Sequence, residues 1–373
     1  MRTLVISDLH LGARTGVDVL RRPELRAALI ETLPGVDRLV LLGDVLELRH
    51  GPRREAVRAA RQTFVDLGRA MAGREIIVLA GNHDHPLVAP WLARRAARER
   101  PPALASEQRL SVSEASDLAA QLAEWASPAT VSCAYPGVWL RPDVYATHGH
   151  YLDCHVTVPT IERLGLGVMS RVLRRSPSTF AGADDYEAVM GPLFAWIDAV
   201  AQQAPTGDTL NGQVTARVWR ALRPGPGRRT LTGRGVAVGF PLAVAALNLA
   251  GLGPLRADVS HAGLRRAGLG AMGEVADRLG VGAGHLLFGH THRAGPLAQD
   301  VRSEWSAPTG VRLVNTGSWS FDGWFVGPTA AESPYWPGGC VIVDDEGPPA
   351  VTRLLDDRTR EQIAPPRGGG SSG

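Results

Sequence analysis

The chain has 373 residues, of which 44% are hydrophobic and 21% are charged, and its formal net charge is +3. This length and apolar content allow one large hydrophobic core or two smaller ones, which excludes a staple-dependent mini-protein and a wholly disordered chain. All 40 basic side chains are arginine, yet so small a net charge gives no reason to expect a nucleic-acid partner.

The first hundred residues alternate between apolar runs and amphipathic stretches. Runs rich in Val, Ile and Leu predict buried strands at Thr3–Ser7, Arg38–Leu42 and Glu75–Ala80. Apolar residues at helical spacing predict helices at Pro23–Leu33, Arg53–Ala72 and Val88–Glu99. This alternation predicts an α/β fold with a largely parallel sheet.

The pattern changes in the second half of the chain. Strands are predicted at Thr130–Ala134 and Asp143–Thr147, and then only at His285–Phe288, Val311–Asn315, Cys340–Asp344 and Val351–Leu355. Residues 155–284 show mostly helical spacing, which predicts a helical insertion into an α/β domain made of residues 1–154 and 285–364. The Pro-, Gly- and Ser-rich residues 365–373 are predicted to form a disordered tail.

A short polar motif follows each of five predicted strands. In chain order the motifs are Asp8-x-His10, Gly43-Asp44, Gly81-Asn82-His83-Asp84, Thr147-His148-Gly149-His150 and Gly289-His290-Thr291-His292. Side chains just past the carboxyl ends of strands in an open α/β sheet converge on one crevice. Because carboxylate, amide oxygen and imidazole suit divalent manganese, iron or zinc, the sequence predicts a metal site there.

The spacing within the motifs sharpens that prediction. If strand geometry continues past the first strand, Asp8 and His10 lie on one face and can reach the same ion. The same holds for His290 and His292. Two ions about 3.5–4 Å apart need a shared ligand, and a carboxylate can bridge them with its two oxygens. Asp44 is the candidate for that role.

The ordered set of motifs resembles that of the calcineurin-like, or binuclear, metallophosphoesterases. The resemblance implies a four-layer α/β/β/α sandwich and a centre for two divalent metal ions, with manganese expected first and iron or zinc as alternatives. It spans residues 8–292 and says nothing about the insertion. The implied ligands are Asp8, His10 and His292 for one ion, Asn82, His148 and His290 for the other, and Asp44 for both.

The same resemblance implies roles beyond the metal ligands. His83 aligns with a histidine that faces the leaving group, and Asp84 is expected to orient a neighbour by hydrogen bonding. The implied reaction is phosphoester hydrolysis, in which a hydroxide bridging both ions attacks phosphorus and His83 protonates the departing oxygen. The run Asn315-Thr316-Gly317-Ser318 is similar to a family segment that supports the site.

Two further side chains are candidates for substrate contact. His150 lies two residues after His148, and Arg293 directly follows the last implied ligand. For Arg293 the competing interpretation is an exposed, solvated charge. The remaining histidines are expected to be surface or packing residues, with His155 a weaker candidate for the site; they are His50, His85, His261 and His285.

The insertion contains an amphipathic segment at residues 159–175. Its apolar side chains fall on one helical face, surrounded by Arg163, Arg171, Arg174 and Arg175. Such a basic helix can lie on an anionic membrane surface, although packing of the apolar face on the core is the alternative. The later run Val236–Leu252 is too short after Pro241 for the roughly 20 residues of a spanning helix. It predicts a buried helix or a hydrophobic lid.

The cysteines and the first residues bear on location. Three cysteines without Cys-x-x-Cys spacing speak against a disulfide framework or a thiolate zinc site, and favour a reducing compartment. If Asp8 and His10 do chemistry, we expect no cleaved signal peptide before them, because the strand Thr3–Ser7 already occupies the first residues. We therefore expect a cytoplasmic protein, with any membrane contact peripheral and at the inner face.

The leading functional hypothesis is hydrolysis of a small-molecule phosphodiester or pyrophosphate, including a lipid-linked one. A nuclease or a protein phosphatase is the alternative enzyme, although the arginines are too dispersed to suggest a basic groove for nucleic acid. The alternative of a different class is a catalytically silent metal-binding interaction module.

Overall fold

The computed structural model describes residues 1–158, 161–203, 242–249, 252–256, 258, 260–323, 325–330 and 333–365. The hydrophobic run predicted at Val236–Leu252 lies partly outside these residues, and the predicted tail at 365–373 lies almost wholly outside them.

Within the described residues, ten strands form one mixed sheet in the order β10-β9-β1-β2-β3-β5-β6-β7-β8, with β4 paired to β5. The neighbours β1, β2, β3 and the first part of β5 are parallel, as are β6, β7 and β8, whereas β9, β10 and β4 pair antiparallel. Their bounds are β1 Thr3–Ile6, β2 Arg38–Leu42, β3 Glu75–Leu79, β4 Glu107–Leu110, β5 Thr130–Arg141, β6 Val144–Thr147, β7 His285–Phe288, β8 Arg312–Asn315, β9 Gly339–Val343 and β10 Ala350–Arg353.

The predicted strands coincide with nine of these ten, to within one or two residues at most ends. The sequence missed β4, whose residues Glu107–Leu110 are polar and lack an apolar run. It also ended β5 too early, because Pro136 resembles a strand terminus. Instead, Pro136 lies inside β5, between two parts of the strand that have different partners. The part up to Ala134 pairs with β3, and the part from Gly137 pairs with β6.

The described helices occupy the connections between strands, except for the last, which follows β10. They are α1 Pro23–Ile30, α2 Arg53–Ala70, α3 Ala89–Ala96, α4 Val112–Ala115, α5 Asp117–Trp125, α6 Ile161–Val172, α7 Ala183–Gln203, α8 242–249, α9 His261–Arg278 and α10 Arg360–Ile363. Helices α6 to α9 lie between β6 and β7, and no strand occurs among the residues described in that interval. None of the described helices combines the length and apolar character needed to cross a bilayer.

The two faces of the sheet are covered differently. One buried cluster joins strand side chains to helices, including Tyr186, Met190 and Phe194 of α7. The other buried cluster contains only strand residues, such as Val5, Val40 and Ile77. Because α7 shares the first cluster with the helices of the α/β region, the division into a domain of residues 1–154 and 285–364 and an insertion stays a prediction.

The loops that follow the strands meet at one edge of the molecule. The Asp8 amide donates to the carbonyl of Gly43 at 3.1 Å, which joins the loops after β1 and β2. The Gly289 amide donates to the carbonyl of His148 at 2.9 Å, which joins the loops after β7 and β6. The motif residues are therefore brought together by backbone contacts between their loops.

Candidate metal centre

Polar side chains from five of these loops form one buried cluster. Three groups have ligand atoms that all lie within 4.8 Å of one another: Asp8, His10 and His292; His10, Asp44 and His83; and Asp44, His148 and His290. His10 and Asp44 each belong to two groups, so the three groups are continuous. The residues implied for the two ions thus lie together, on opposite sides of Asp44.

Asp44 lies at the centre of this cluster. Its Oδ2 is 3.4 Å from Nε2 of His148 on one side and 3.8 Å from Nε2 of His10 on the other. Its Oδ1 accepts a hydrogen bond from the backbone N–H of His83 at 2.8 Å. One carboxylate oxygen is therefore fixed by the backbone, while the other faces imidazoles from both groups.

The backbone at the candidate ligands is not a continuation of the strands. Strand β1 ends at Ile6, and Asp8 and His10 have φ angles of 55° and 45°. The expectation that strand geometry places them on one face is therefore wrong. The same correction applies to His290 and His292, whose φ angles are 64° and 57°. Non-glycine residues with positive φ cost about 1–3 kcal/mol each and cluster at functional sites.

Two glycines allow the loops to approach this closely. Gly43 has a φ of 86°, and a Cβ added there would lie 2.5 Å from the His148 ring. A Cβ on Gly81 would lie 2.2 Å from Oδ1 of Asp44. Any side chain at either position would displace a candidate ligand.

Two of the candidate histidines are oriented by buried carboxylates. Nδ1 of His10 lies 3.0 Å from Oε2 of Glu47, and Nε2 of His290 lies 3.0 Å from Oδ2 of Asp153. In each case the carboxylate takes the N–H of one ring nitrogen, which leaves the lone pair of the other nitrogen for the cluster. Metal-ligating histidines are held by partners of this kind.

The other two histidines are held by uncharged acceptors. Nδ1 of His148 donates to the carbonyl of Leu42 at 2.9 Å. Nδ1 of His292 lies 3.4 Å from the hydroxyl of Ser320. With Nδ1 engaged, Nε2 of each ring faces the cluster, and Nε2 of His292 lies 3.3 Å from Oδ1 of Asp8.

The amide group of Asn82 completes the second half of the cluster. One of its terminal atoms lies 3.2 Å from Nε2 of His148, 3.1 Å from Nδ1 of His290 and 3.2 Å from Oδ2 of Asp44. The other terminal atom lies 3.1 Å from a guanidinium nitrogen of Arg49. If the amide nitrogen of Asn82 faces inward, it donates hydrogen bonds to His148, His290 and Asp44. If a cation lies between these groups, the amide oxygen faces the cation instead.

The electrostatics of the cluster favour positive charge. Burial lowers the pKa of His148, but Asp44 and Asp8 more than offset this and raise it to about 10. Burial also lowers the pKa of His10, yet Glu47 and the aspartates raise it to about 9. The negative field that stabilises these imidazolium ions also attracts a divalent cation. The donor set and the field therefore fit a metal centre.

His83 lies beside the cluster and shares a carboxylate with it. Its Nδ1 is 2.8 Å and 3.0 Å from the two oxygens of Glu47, the residue that also holds His10. Burial lowers the pKa of His83 to about 4, more than Glu47 and Asp44 raise it. At neutral pH the ring is uncharged, with its N–H toward Glu47. An anionic group beside the ring would raise its pKa, because opposite charge favours imidazolium.

Asp84 joins two loops by hydrogen bonds, and both of its carboxylate oxygens are engaged in them. Its Oδ2 accepts from the amides of Val45 and Leu46 at 2.6 and 3.2 Å, and its Oδ1 accepts from the amide of Gly81 at 2.7 Å. These contacts join the loop of Asp44 to the loop of Asn82. They fit the expectation of an orienting residue and give no support to direct catalysis.

The two expected substrate contacts have other partners. His150 is 1% exposed, and its ring stacks on Tyr135 and meets Tyr151 edge-on. Arg293 is 7% exposed and forms a two-point ion pair with Asp300 at 2.5 and 3.0 Å. Burial of the first side chain and pairing of the second give no support to direct substrate contact, and the alternative of an exposed, solvated Arg293 is wrong.

The run Asn315–Ser318 supports the site through hydrogen bonds. Nδ2 of Asn315 donates to the carbonyl of Gly289 at 2.9 Å. The hydroxyl of Thr316 lies 2.6 Å from that of Ser7, which in turn donates to the carboxylate of Asp8. This segment thereby fixes the loops after β1 and β7.

Sequence reasoning missed three polar residues around the cluster. Glu47 lies three positions after Asp44, close enough to its motif to have been considered as an orienting carboxylate. Arg49 follows two residues later. Asp153 lies in the turn His150–Cys154 and has no motif of its own, so only the fold reveals its contact with His290.

Comparison with protein families gives one match, to the family described as calcineurin-like phosphoesterase, over residues 1–174. Residues 1–174 therefore match a calcineurin-like phosphoesterase domain. The candidate ligands from Asp8 to His148 lie within the matched residues, whereas His290 and His292 lie beyond them and reach the cluster through the fold.

Other comparisons add nothing to this assignment. No curated protein matches the chain significantly. The structure of a cold-active protein-tyrosine phosphatase from a psychrophilic Shewanella species is 12% identical, with coverage of 92% of this chain and 75% of that one. Its TM-score is 0.26, a likeness too weak to inform the fold or the function of this chain.

Proposed function

We propose that the chain is a metal-dependent phosphoester hydrolase with a binuclear centre, built on the four-layer α/β/β/α sandwich of its family. The observation that carries the proposal is the convergence of lone pairs on both sides of Asp44, with the second nitrogen of each histidine already engaged. Asp8, His10, Asp44 and His292 would hold one divalent ion. Asn82, His148 and His290 would hold the other, together with Asp44.

The ions would lower the pKa of a bound water and neutralise charge on the phosphoryl oxygens. Manganese is the expected metal, with iron or zinc as alternatives. Around the ions the protein's own side chains do the rest. Glu47 fixes His10 and His83 through their Nδ1 atoms, and the His83 side chain is 23% exposed.

His83 is the proposed proton donor to the leaving oxygen. Its pKa of about 4 leaves it neutral before substrate arrives, because burial outweighs the attraction of Glu47. A bound phosphoester places negative charge beside the ring and raises that pKa, which favours the protonated ring. The proton then lies at Nε2, the nitrogen opposite the Glu47 contact.

Arg49 is the proposed phosphate contact in place of Arg293. Its guanidinium lies 3.1 Å from the amide of Asn82 and packs 5.2 Å from the ring centroid of Phe194. Among the described residues no carboxylate lies within 4.0 Å of this guanidinium, so it can pair with an anion that enters the site. Arginine matches phosphate oxygens with two parallel N–H donors.

The proposed substrate class is a small-molecule phosphodiester or pyrophosphate, including one linked to a lipid. Exposed apolar residues at the end of α6 and just after it favour the lipid-linked form, since Val168 and Val172 of α6 and the following Leu173 are 50%, 69% and 40% exposed. The exposure of these three side chains supports membrane contact, whereas Met169 of the same face packs against the core, as the alternative for the segment expects. The expectation for Arg163 is wrong, because it is buried and donates to the carbonyl of Val156 at 3.0 Å.

Peripheral contact of α6 with the inner face of the membrane is part of this proposal. Buried free cysteines fit the reducing cytoplasm. Co-sedimentation with phosphatidylglycerol vesicles tests the contact. Val168→Ser with Val172→Ser is expected to reduce binding, and Val301→Ser, at a 58% exposed valine outside the insertion, is not. Equal binding by all three proteins, or none by the wild type, would refute the contact.

Hydrolysis of bis(p-nitrophenyl) phosphate with added Mn²⁺ tests the enzyme itself. Turnover by the wild type, lost in Asp44→Asn, supports the proposal. Cleavage of single-stranded DNA or phosphopeptides in preference to small phosphoesters would favour the nuclease or protein phosphatase alternative. If the protein shows no turnover with manganese, iron or zinc, the catalytically silent metal-binding module becomes the favoured alternative.

A further inference from the structure

A buried carboxylate of the insertion reaches the loops that carry candidate ligands. Glu187 lies in α7, and its side chain is 12% exposed. One of its oxygens accepts from the hydroxyls of Tyr135 and Tyr151, the latter at 2.7 Å. The other oxygen lies 3.2 Å from Nε2 of His85. Three donors thus satisfy a carboxylate that would otherwise be costly to bury.

The first of these contacts leads to the loop after β3. His85 follows His83 by two residues and is adjacent to Asp84. Asp84 in turn holds the backbone at Val45 and Gly81, on either side of the cluster. Glu187 therefore braces the loop from which His83 and Asn82 project.

The second contact leads to the turn after β6. Tyr151 lies in the turn His150–Cys154, which also carries Asp153. Asp153 accepts from Nε2 of His290 at 3.0 Å and thereby turns Nδ1 of that ring toward Asn82. The Tyr151 ring stacks on Tyr186, the neighbour of Glu187, with centroids 4.4 Å apart. The orientation of His290 thus depends on a turn that α7 holds in place.

We propose that Glu187 is a positioning residue for the half of the centre formed by Asn82, His148 and His290. The inference rests on the proposed metal centre and extends it to a residue outside the family's motifs. Through one carboxylate, α7 fixes both loops that flank this half. The insertion is then a part of the metal site and not only a cover beside it.

Manganese binding to the wild type and two variants tests this directly, by calorimetric titration of metal-free protein. Glu187→Gln keeps the shape of the side chain but removes its charge and one acceptor. Tyr151→Phe removes one hydroxyl and keeps the stacked ring. Each is expected to weaken one of two manganese sites by about 10–100-fold, the usual effect of losing a partner that orients a ligand.

The matched control lies on the same helix. Asp198→Asn breaks the ion pair between α7 and Arg53 of α2, but touches neither loop. If α7 acts only through the overall stability of the fold, Asp198→Asn and Glu187→Gln should both lower the melting temperature and leave manganese affinity unchanged. We expect the affinity to fall only in Glu187→Gln and Tyr151→Phe.

The combined variant adds a second criterion. Both changes disrupt the same chain of contacts that leads to His290. The variant with both Glu187→Gln and Tyr151→Phe should therefore weaken manganese binding little more than Glu187→Gln alone. Two tight sites in the wild type and in both single variants would overturn the role of Glu187 while leaving the enzyme proposal intact. A wild type that binds no manganese would refute the centre itself, and the positioning role with it.

Discussion

Both the loops after the strands and the helices of the insertion contribute polar groups to the site. The groups in the loops can be recognised in the sequence, whereas those in the insertion cannot. In the loops, each candidate ligand lies within a few residues of a strand end. Among the described residues, five of the six non-glycine positions with positive φ are candidate ligands. In the insertion, Glu187 lies within a 21-residue helix, where the sequence does not distinguish it from other helical glutamates.

This difference separates two ways of building a site. The loop residues act through their own lone pairs. Their chemical type and their order along the chain are therefore constrained and can be recognised in the sequence. Glu187 and Phe194 act through what they touch, namely His85, Tyr151 and Arg49. Their importance follows from the tertiary contacts alone.

The largest effect is expected at the residue shared by both halves of the centre. Asp44→Asn keeps the shape of the side chain but removes the charge that faces His10 and His148. We expect hydrolysis to fall by more than about 10³-fold, beyond the ~10²–10³ that a single preorganised donor supplies. Steady-state rates with bis(p-nitrophenyl) phosphate measure this loss. Near-normal turnover would remove Asp44 from the reaction.

A slightly smaller effect is expected beside the centre. His83→Ala should lower kcat by about 10²–10⁴-fold, the range of general acid catalysis, and leave metal content unchanged. Metal analysis of the purified variant separates this from ligand loss. Full activity in His83→Ala would exclude the proton-donor role.

Glu47→Gln probes the carboxylate that holds both His10 and His83. Loss of its charge should reduce metal affinity or activity by about 10–100-fold, because two side chains lose their orientation together. Its comparison with Glu187→Gln contrasts a residue near a motif with one from the insertion. If both changes act through ligand orientation, Glu47→Gln weakens the site of Asp8 and His292, and Glu187→Gln weakens the other.

Arg49→Ala is expected to have the smallest effect on turnover and to act mainly on KM. Loss of one charged hydrogen bond to phosphate, about 1.5–3 kcal/mol, corresponds to a KM roughly 10–150-fold higher. Arg293→Ala is the contrasting variant, since its guanidinium is engaged by Asp300. It should lower the melting temperature and leave KM unchanged. The reverse pattern would restore Arg293 as the phosphate contact.

The fold of the phosphoesterase domain was predictable because its strands are apolar runs bounded by glycine and polar motifs. The strand β4 was not, because its four residues are held by pairing with β5 and not by burial of an apolar run. In the insertion, helical spacing identified α6 but misassigned Arg163, since periodicity does not tell which face of a helix the core covers.

The candidate site, like the fold, was predictable in part from the sequence. The motifs gave the type and order of the candidate ligands, and the family gave their pairing. The reason offered for their convergence was wrong, because loops with positive φ place them and not extended strands. Side chains that orient the ligands, such as Asp153, lie on turns whose path only the complete fold determines.

Anomalous diffraction from crystals soaked in Mn²⁺ tests the central claim most directly. We predict two manganese peaks on opposite sides of the Asp44 carboxylate, one beside Asp8 and His292 and the other beside Asn82 and His290. Crystals of the wild type without a peak in this cluster, or with manganese bound only elsewhere on the protein, would contradict the proposed centre.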